Sequence, residues 1–217
     1  YCKAILASGT GMKPLPIVRG GDYHATEPER ENPSATALRS LMEAGKDWHN
    51  YIPKEAKDSF DGALIHTLAQ GEKAILYRLR TMADAEFEAL PFGSEGLWRK
   101  LMHAARSKTT IDEIITATKS KRYTRTRIDR MILCAYLGLT DEMRTAPVPY
   151  CRVLGFNDNG RQILSKAKDS GFFVNIGERT KHEYEKLEYR AGSLYALMAE
   201  LVDHPQITEN YRVIYKK

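Results

Sequence analysis

From about residue 50 to Ala146 the chain repeats one pattern: a cap or turn, apolar residues spaced three and four apart, then a glycine or a break. That spacing gathers apolar side chains on one helical face, so the middle of the chain is expected to be almost wholly helical. Ala63, Leu64 and Leu68 mark a short helix ended by Gly71. Ala74 to Met82 marks another, with Ile75, Leu76 and Leu79 facing inward. Ser94 is the expected cap of a helix carrying Leu97, Leu101, Met102 and Ala105, and Thr110 the cap of one carrying Ile111, Ile114 and Ile115. Thr126-x-x-Asp129 reads as a capping box, with Asp in place of Glu or Gln, opening a helix from Arg127 to Leu137 that Gly138 stops.

The flanks read differently. Residues 1 to 8 resemble a helix tail closed by Gly9 and Gly11. With no cap before YCKAIL and no methionine at Tyr1, a missing upstream partner is expected. Leu15 to Val18 reads as a short strand running into a turn-rich loop, and Ser34 as the cap of a helix that Gly45 stops. Beyond Pro147 and Pro149, Tyr150 to Phe156 is expected as a strand, Gly160 to Lys168 as a helix and Phe172 to Ile176 as a second strand: a small β-α-β unit. A long amphipathic helix from about Thr180 follows, with Tyr184, Leu187, Ala191, Leu194, Met198 and Leu201 on its apolar face. The expected fold class is α+β, predominantly α-helical, with boundaries near residues 50 and 146: 1–50, 51–146 and 147–217.

Charge is concentrated in one place. Lys119 to Arg130, KSKRYTRTRIDR, holds six Lys or Arg against Asp129, a net +5 that equals the net charge of all 217 residues. The rest of the chain therefore sums to zero, so the local field is undiluted. A basic turn at a helix N-terminus, with Tyr123 among the cations, suits a polyanion, because clustered Lys and Arg supply most of the affinity for nucleic acid. The bland alternative is a solvated basic helix end.

Other chemistry is sparse. The apolar fraction of 42% and charged fraction of 28% are those of an ordinary globular protein, and no stretch approaches the ~20 apolar residues of a membrane span. Cys2, Cys134 and Cys151 form no C-x-x-C pair, so neither a disulfide framework nor a metal site is expected, and a cytoplasmic setting is. The six histidines are scattered, and no catalytic constellation is complete. One local feature remains: Pro33-Ser34-Ala35-Thr36-Ala37-Leu38-Arg39 sets two hydroxyls, helix amides and a guanidinium together, as a phosphate site needs. The alternative is an ordinary serine cap.

SATALR resembles the I-S-S-T-x-x-R motif of the HIGH-type nucleotidyltransferases. PLPIVRGGDYH before it, and then EGLWRKLMHAA, KSKRYTRTRIDRMILCAYLGLT and YCRVLGFNDNGRQIL in order, are similar to landmarks of the bacterial tRNA(Met) cytidine acetate ligase family. K-x-K-R-Y-T-x-T-R-I is the most specific of them. The resemblance implies the end of a Rossmann-like nucleotidyltransferase domain joined to a helical RNA-binding region. It also implies ATP with Mg as cofactor in an intact parent, acetate activated as acetyl-adenylate, and the wobble cytidine of elongator methionine tRNA as acceptor. Arg19, Gly20, Ser34, Thr36 and Arg39 would then meet ATP, and Lys119, Lys121, Arg122, Tyr123, Arg125, Arg127 and Arg130 the tRNA. The family's H-x-G-H motif does not occur in these residues, so the chain alone is expected to be inactive, with no cofactor of its own and with an N-terminal nucleotidyltransferase half as a missing partner. Two rivals stand beside this: a non-catalytic RNA-binding protein, and a helix-turn-helix DNA binder, against which the length of the Lys119–Thr126 turn argues. A related enzyme with a different acceptor is a third.

Overall fold

Glycine ends the first helix as the sequence requires: α1 (Cys2–Ser8) stops at Gly9, whose φ of 62° is the left-handed conformation a side chain would resist. The computed structural model describes residues 1–18, 20, 25–29, 33–60, 62–180, 182–205 and 211–216. The chain divides into two units, Tyr1–Ile65 and His66–Lys217.

In the first unit the Ser34 cap forms as expected. Its hydroxyl accepts from the Ala37 amide at 2.9 Å and opens α2 (Ala35–Glu43). The expected strand at Leu15–Val18 does not form; residues 11–18 carry no regular structure, and Leu15 and Val18 are 86% and 96% exposed. A strand is held by ladder bonds to a neighbour and by burial of a face, and no described residue of this unit supplies either. A 3-10 turn at His49–Tyr51 and the one-turn α3 (Lys54–Lys57) complete the regular structure described here. Only Ser34 and Ala37 are buried among the described residues of this unit.

The second unit holds the core. The helix expected around Ala63 to Leu68 is absent: His66 instead bridges Ala199 in antiparallel fashion, and the Thr67 amide donates to Met198 O at 2.8 Å. Those non-local bonds outweigh a weak local helical preference. α4 (Glu72–Thr81) follows, burying Ile75, Leu76 and Leu79 as its spacing dictates. Then come α5 (Asp84–Glu88), α6 (Leu97–Ser107), α7 (Ile111–Thr118), α8 (Arg125–Leu137) and α9 (Asp141–Thr145). α6 packs chiefly on α7, and α4 on both α6 and α8, around Leu79, Phe87, Leu101, Ile114, Ile128 and Met131. Each such side chain contributes roughly 1.5–3 kcal/mol by leaving water, which is why short helices of modest propensity hold together here. Glu72 locks two N-termini together by accepting from the Ile111 amide at 2.8 Å.

Beyond Pro149 the expected β-α-β unit is present with one change. The strand expected from Tyr150 to Phe156 breaks at Leu154 into β1 (Cys151–Val153) and β2 (Gly155–Phe156). After α10 (Asp158–Lys166), β3 (Phe173–Asn175) returns parallel to β1, in the register Cys151 with Phe173. β2 pairs instead with β4 (Ile214–Tyr215), and Gly155 permits it: a Cβ there would lie 2.9 Å from Ile214 O. α11 (Glu183–Tyr195) is shorter than the pattern suggests. It passes into a 3-10 turn at Ala196–Met198, and Leu201 is exposed rather than on a buried face. Arg152 ties α11 to β1 through Glu188 at 2.8 Å and Glu185 at 3.5 Å. No described helix is long and apolar enough to cross a membrane.

Candidate nucleic-acid interface

The basic segment occupies the turn between α7 and α8 and the first turns of α8. Lys119 ends α7, and Ser120 and Tyr123 exchange two backbone hydrogen bonds, 3.3 and 3.1 Å, that close a tight four-residue turn. Lys121 and Arg122 therefore sit at its tip. α8 begins two residues earlier than the sequence suggests, with Thr124 at the N-cap position and no side-chain cap. The capping box expected from Thr126 and Asp129 does not form. The Thr126 hydroxyl meets that of Thr124 at 3.2 Å, and Asp129 turns inward, where one carboxylate oxygen is buried without a partner. Burial raises its pKa, against the weaker pull of Arg125.

A second loop braces this turn. Phe92 and Glu95 both take positive φ, 66° and 63°, a conformation that needs support from outside the loop. Arg127 supplies it: its Nε donates to Phe92 O at 2.9 Å, and a terminal nitrogen donates to the Ser94 hydroxyl at 2.9 Å. That bond also explains why Ser94 does not cap α6, whose N-cap is Gly96 with φ 79°. The Tyr123 hydroxyl donates to Glu95 O at 3.0 Å, and Arg122 pairs with the Glu95 carboxylate at 2.6 Å.

The seven residues expected to meet RNA thus divide. Lys119, Lys121, Arg122, Arg125 and Arg130 are exposed, and of these Lys119, Lys121 and Arg130 have no ion-pair partner among the described residues. Arg125 pairs with Asp112 at 2.9 Å, an exposed contact that a phosphate can displace. Arg127 is half-buried and committed to the loop. Tyr123 is 8% exposed, with the Arg127 guanidinium 5.1 Å from its ring centre, so its ring shapes the turn from beneath instead of facing solvent. No spacing rule in the sequence separates these bracing residues from the exposed ones; the left-handed Phe92–Gly96 loop, invisible to periodicity, does.

The residues expected at ATP lie in the other unit. Arg19 falls outside the described residues, and Gly20 is exposed with no regular structure. Ser34 is 1% exposed and its hydroxyl is used twice, accepting from Ala37 and donating to Ala25 O at 2.5 Å. Thr36 and Arg39 are exposed on the first turns of α2, where helix amides lack intrahelical partners. Ser34 therefore holds the helix end in shape, and Thr36 and Arg39 lie beyond it on the exposed surface of α2. No group of three metal-ligating side chains occurs among the described residues.

A large hollow sequence reasoning missed lies beside α8. It is an open hollow of about 670 Å³ between α8, the segment after Gly138, and α11, with walls that include Leu133, Leu137, Pro147, Tyr150, Tyr184 and Leu187. Arg130 and Arg144 reach it as well, the latter 5.1 Å from the centre of the Phe92 ring. Burial, with the nearby Glu188 carboxylate, pushes the Tyr150 hydroxyl up to about 12. The hydroxyl stays protonated at neutral pH, and it makes no well-formed hydrogen bond although Glu188 and Thr180 are close enough to influence it.

Comparison with known proteins gives a consistent picture. Residues 1–210 match the model of the HIGH Nucleotidyl Transferase family. The tRNA(Met) cytidine acetate ligase of Clostridium acetobutylicum is 27% identical over 99% of this chain and 55% of its own length. That of Limosilactobacillus reuteri is 27% identical over 97% of this chain and 58% of its length. The chain thus spans about half the length of these curated relatives. The crystal structure of apo Thermotoga maritima TmcAL superposes with a TM-score of 0.80 at 21% identity, over 99% of this chain and 58% of that one. A second form, bound with alpha-thio ATP, gives 0.68 over 85% of this chain and 52% of that one. These likenesses show the fold, predominantly helical with few strands.

Proposed function

The chain belongs to the HIGH nucleotidyl transferase family, and from that premise we propose that it provides the tRNA-holding part of an ATP-dependent ligase. The curated relatives are named tRNA(Met) cytidine acetate ligases, and the reaction we propose for the ligase is acetate activated as acetyl-adenylate, then transferred to the wobble cytidine of elongator methionine tRNA. The carrying observation is the braced basic turn. Five exposed cations of one segment are presented on a frame fixed by Arg127 and Tyr123, while the rest of the chain is electrically neutral. Phosphate contacts of this kind position an RNA without reading its sequence. ATP, with Mg, is the cofactor of this reading; Thr36, Arg39 and the α2 amides would meet its phosphates, with Gly20 and Arg19 nearby in the chain. Leaving-group chemistry needs the H-x-G-H motif, which these residues do not contain. In regional terms, 1–50 would serve the nucleotide, 51–146 the RNA, and 147–217 the support of the helical part.

Binding of tRNA by this chain, measured by filter retention across a salt series, tests the reading. With the three unpaired cations engaged the slope of log affinity on log salt should be about −3, approaching about −4.5 if all five exposed cations meet phosphates. Arg122→Ala with Arg125→Ala should weaken binding without changing the far-UV spectrum. Salt-independent binding, or none, would sink the proposal. In a form of the protein that carries an H-x-G-H site, Arg39→Ala should lower acetate-dependent ATP–pyrophosphate exchange about a hundredfold to a thousandfold, whereas Arg122→Ala should depress only transfer to tRNA.

A further inference from the structure

We propose that the hollow beside α8 captures one unstacked nucleobase of a single-stranded RNA loop whose phosphates lie along the basic turn. The inference rests on the RNA-binding reading and adds to it a base-binding site.

Continuity with the turn is the first argument. Arg130 belongs both to the basic segment and to the wall of the hollow, and it stands three residues, about 4.5 Å along α8, beyond Arg127. A strand held at Lys121 and Arg122 and led along α8 reaches the rim at that cation.

Chemistry is the second. Proteins that hold single-stranded RNA stack its bases on aromatic rings and Arg planes within a cationic groove. Tyr123, the aromatic of the turn itself, is buried and cannot serve. The hollow offers the Tyr150 and Tyr184 rings, leucine walls and the Arg144 guanidinium, which pairs with Asp141 at 2.8 Å in an exposed contact that a ligand can displace. Its volume, about 670 Å³, lies within the range of sites that enclose small organic ligands.

The third argument is the far side. A smaller hollow of about 340 Å³ shares Met143, Tyr184 and Leu187 with the first and is lined also by Lys186 and Arg190. Exposed cations therefore stand at both ends of the apolar and aromatic stretch, Lys186 in a displaceable surface pair with Glu183 at 2.9 Å, giving the order phosphate, base, phosphate that a looped-out nucleotide presents. An apolar protein helix would fill the walls but leave the Arg130 and Arg190 ends unmatched.

The test uses the 217-residue chain and a fluorescent RNA hairpin with the anticodon-loop sequence, in parallel with hairpins in which one loop base at a time is replaced by an abasic ribose. Anisotropy should show one abasic position costing on the order of tenfold in affinity, the others little. Val148→Trp, at a wall position 71% exposed and so tolerant of substitution, should cost a similar factor on the parent hairpin and nothing further on the abasic one. Ala191→Phe narrows the hollow from α11 and should act alike. Equal affinity for all the abasic hairpins, or unchanged binding by both filled variants while Arg122→Ala weakens it, overturns the base site and leaves the RNA reading standing. Failure of the unaltered chain to bind any hairpin overturns the RNA reading, and the base site with it.

Discussion

The two units use the same local signals and get different structures from them. Both have well-formed caps, Ser34 on α2 and Thr110 on α7, each accepting from an amide three residues on. In the His66–Lys217 unit such helices stack on a continuous core from Ile75 to Tyr136. In Tyr1–Ile65 the described residues bury little beyond Ala37 and Ser34, and the apolar run Leu15-Pro16-Ile17-Val18 lies open to solvent without strand structure. A cap is satisfied by its own next turn, whereas a strand or a buried face needs a partner from elsewhere in the chain.

The largest test of that contrast is Phe87→Ala. The ring is fully buried in the helical core, so truncation should cost about 3–5 kcal/mol in denaturant unfolding of the second unit. A loss under 1 kcal/mol would mean that this core is far looser than its burial suggests. Ser34→Ala should cost less, about 1 kcal/mol, and locally: hydrogen exchange at the Ala37 amide should accelerate while the second unit keeps its protection.

Asp129→Asn should have a smaller effect of opposite sign. Burial raises the folded-state pKa of Asp129, so the ionised carboxylate is disfavoured at neutral pH. The substitution should therefore raise the melting temperature at pH 7. Its advantage should shrink as pH falls through the raised folded pKa and vanish below the ordinary value of 3.8, where the acid is protonated in both states. Removing that negative charge from the basic segment should also tighten RNA binding slightly. Equal melting temperatures at pH 7 and at pH 3 for the pair would contradict the burial argument. Smallest of all, Leu15→Ala should change stability by less than about 0.5 kcal/mol, since the side chain is 86% exposed; a larger loss would show that this segment packs after all.

What the sequence determined by itself was whatever depends on near neighbours. The helices at Glu72–Thr81, Ile111–Thr118 and up to Gly138, the left-handed stop at Gly9, the parallel pairing of the strands around Cys151 and Phe173, and the concentration of charge from Lys119 to Arg130 follow from spacing, capping and composition. The family resemblance too was carried by contiguous motifs. Tertiary structure decided matters that depend on distant partners. It took the Ser94 hydroxyl from its expected cap by presenting Arg127, 33 residues away. It turned Asp129 inward, and it sent the two halves of the expected strand at Tyr150–Phe156 to different partners. It also sorted one basic segment into residues that brace and residues that face solvent, because only packing against the Phe92–Gly96 loop determines which guanidinium is already occupied.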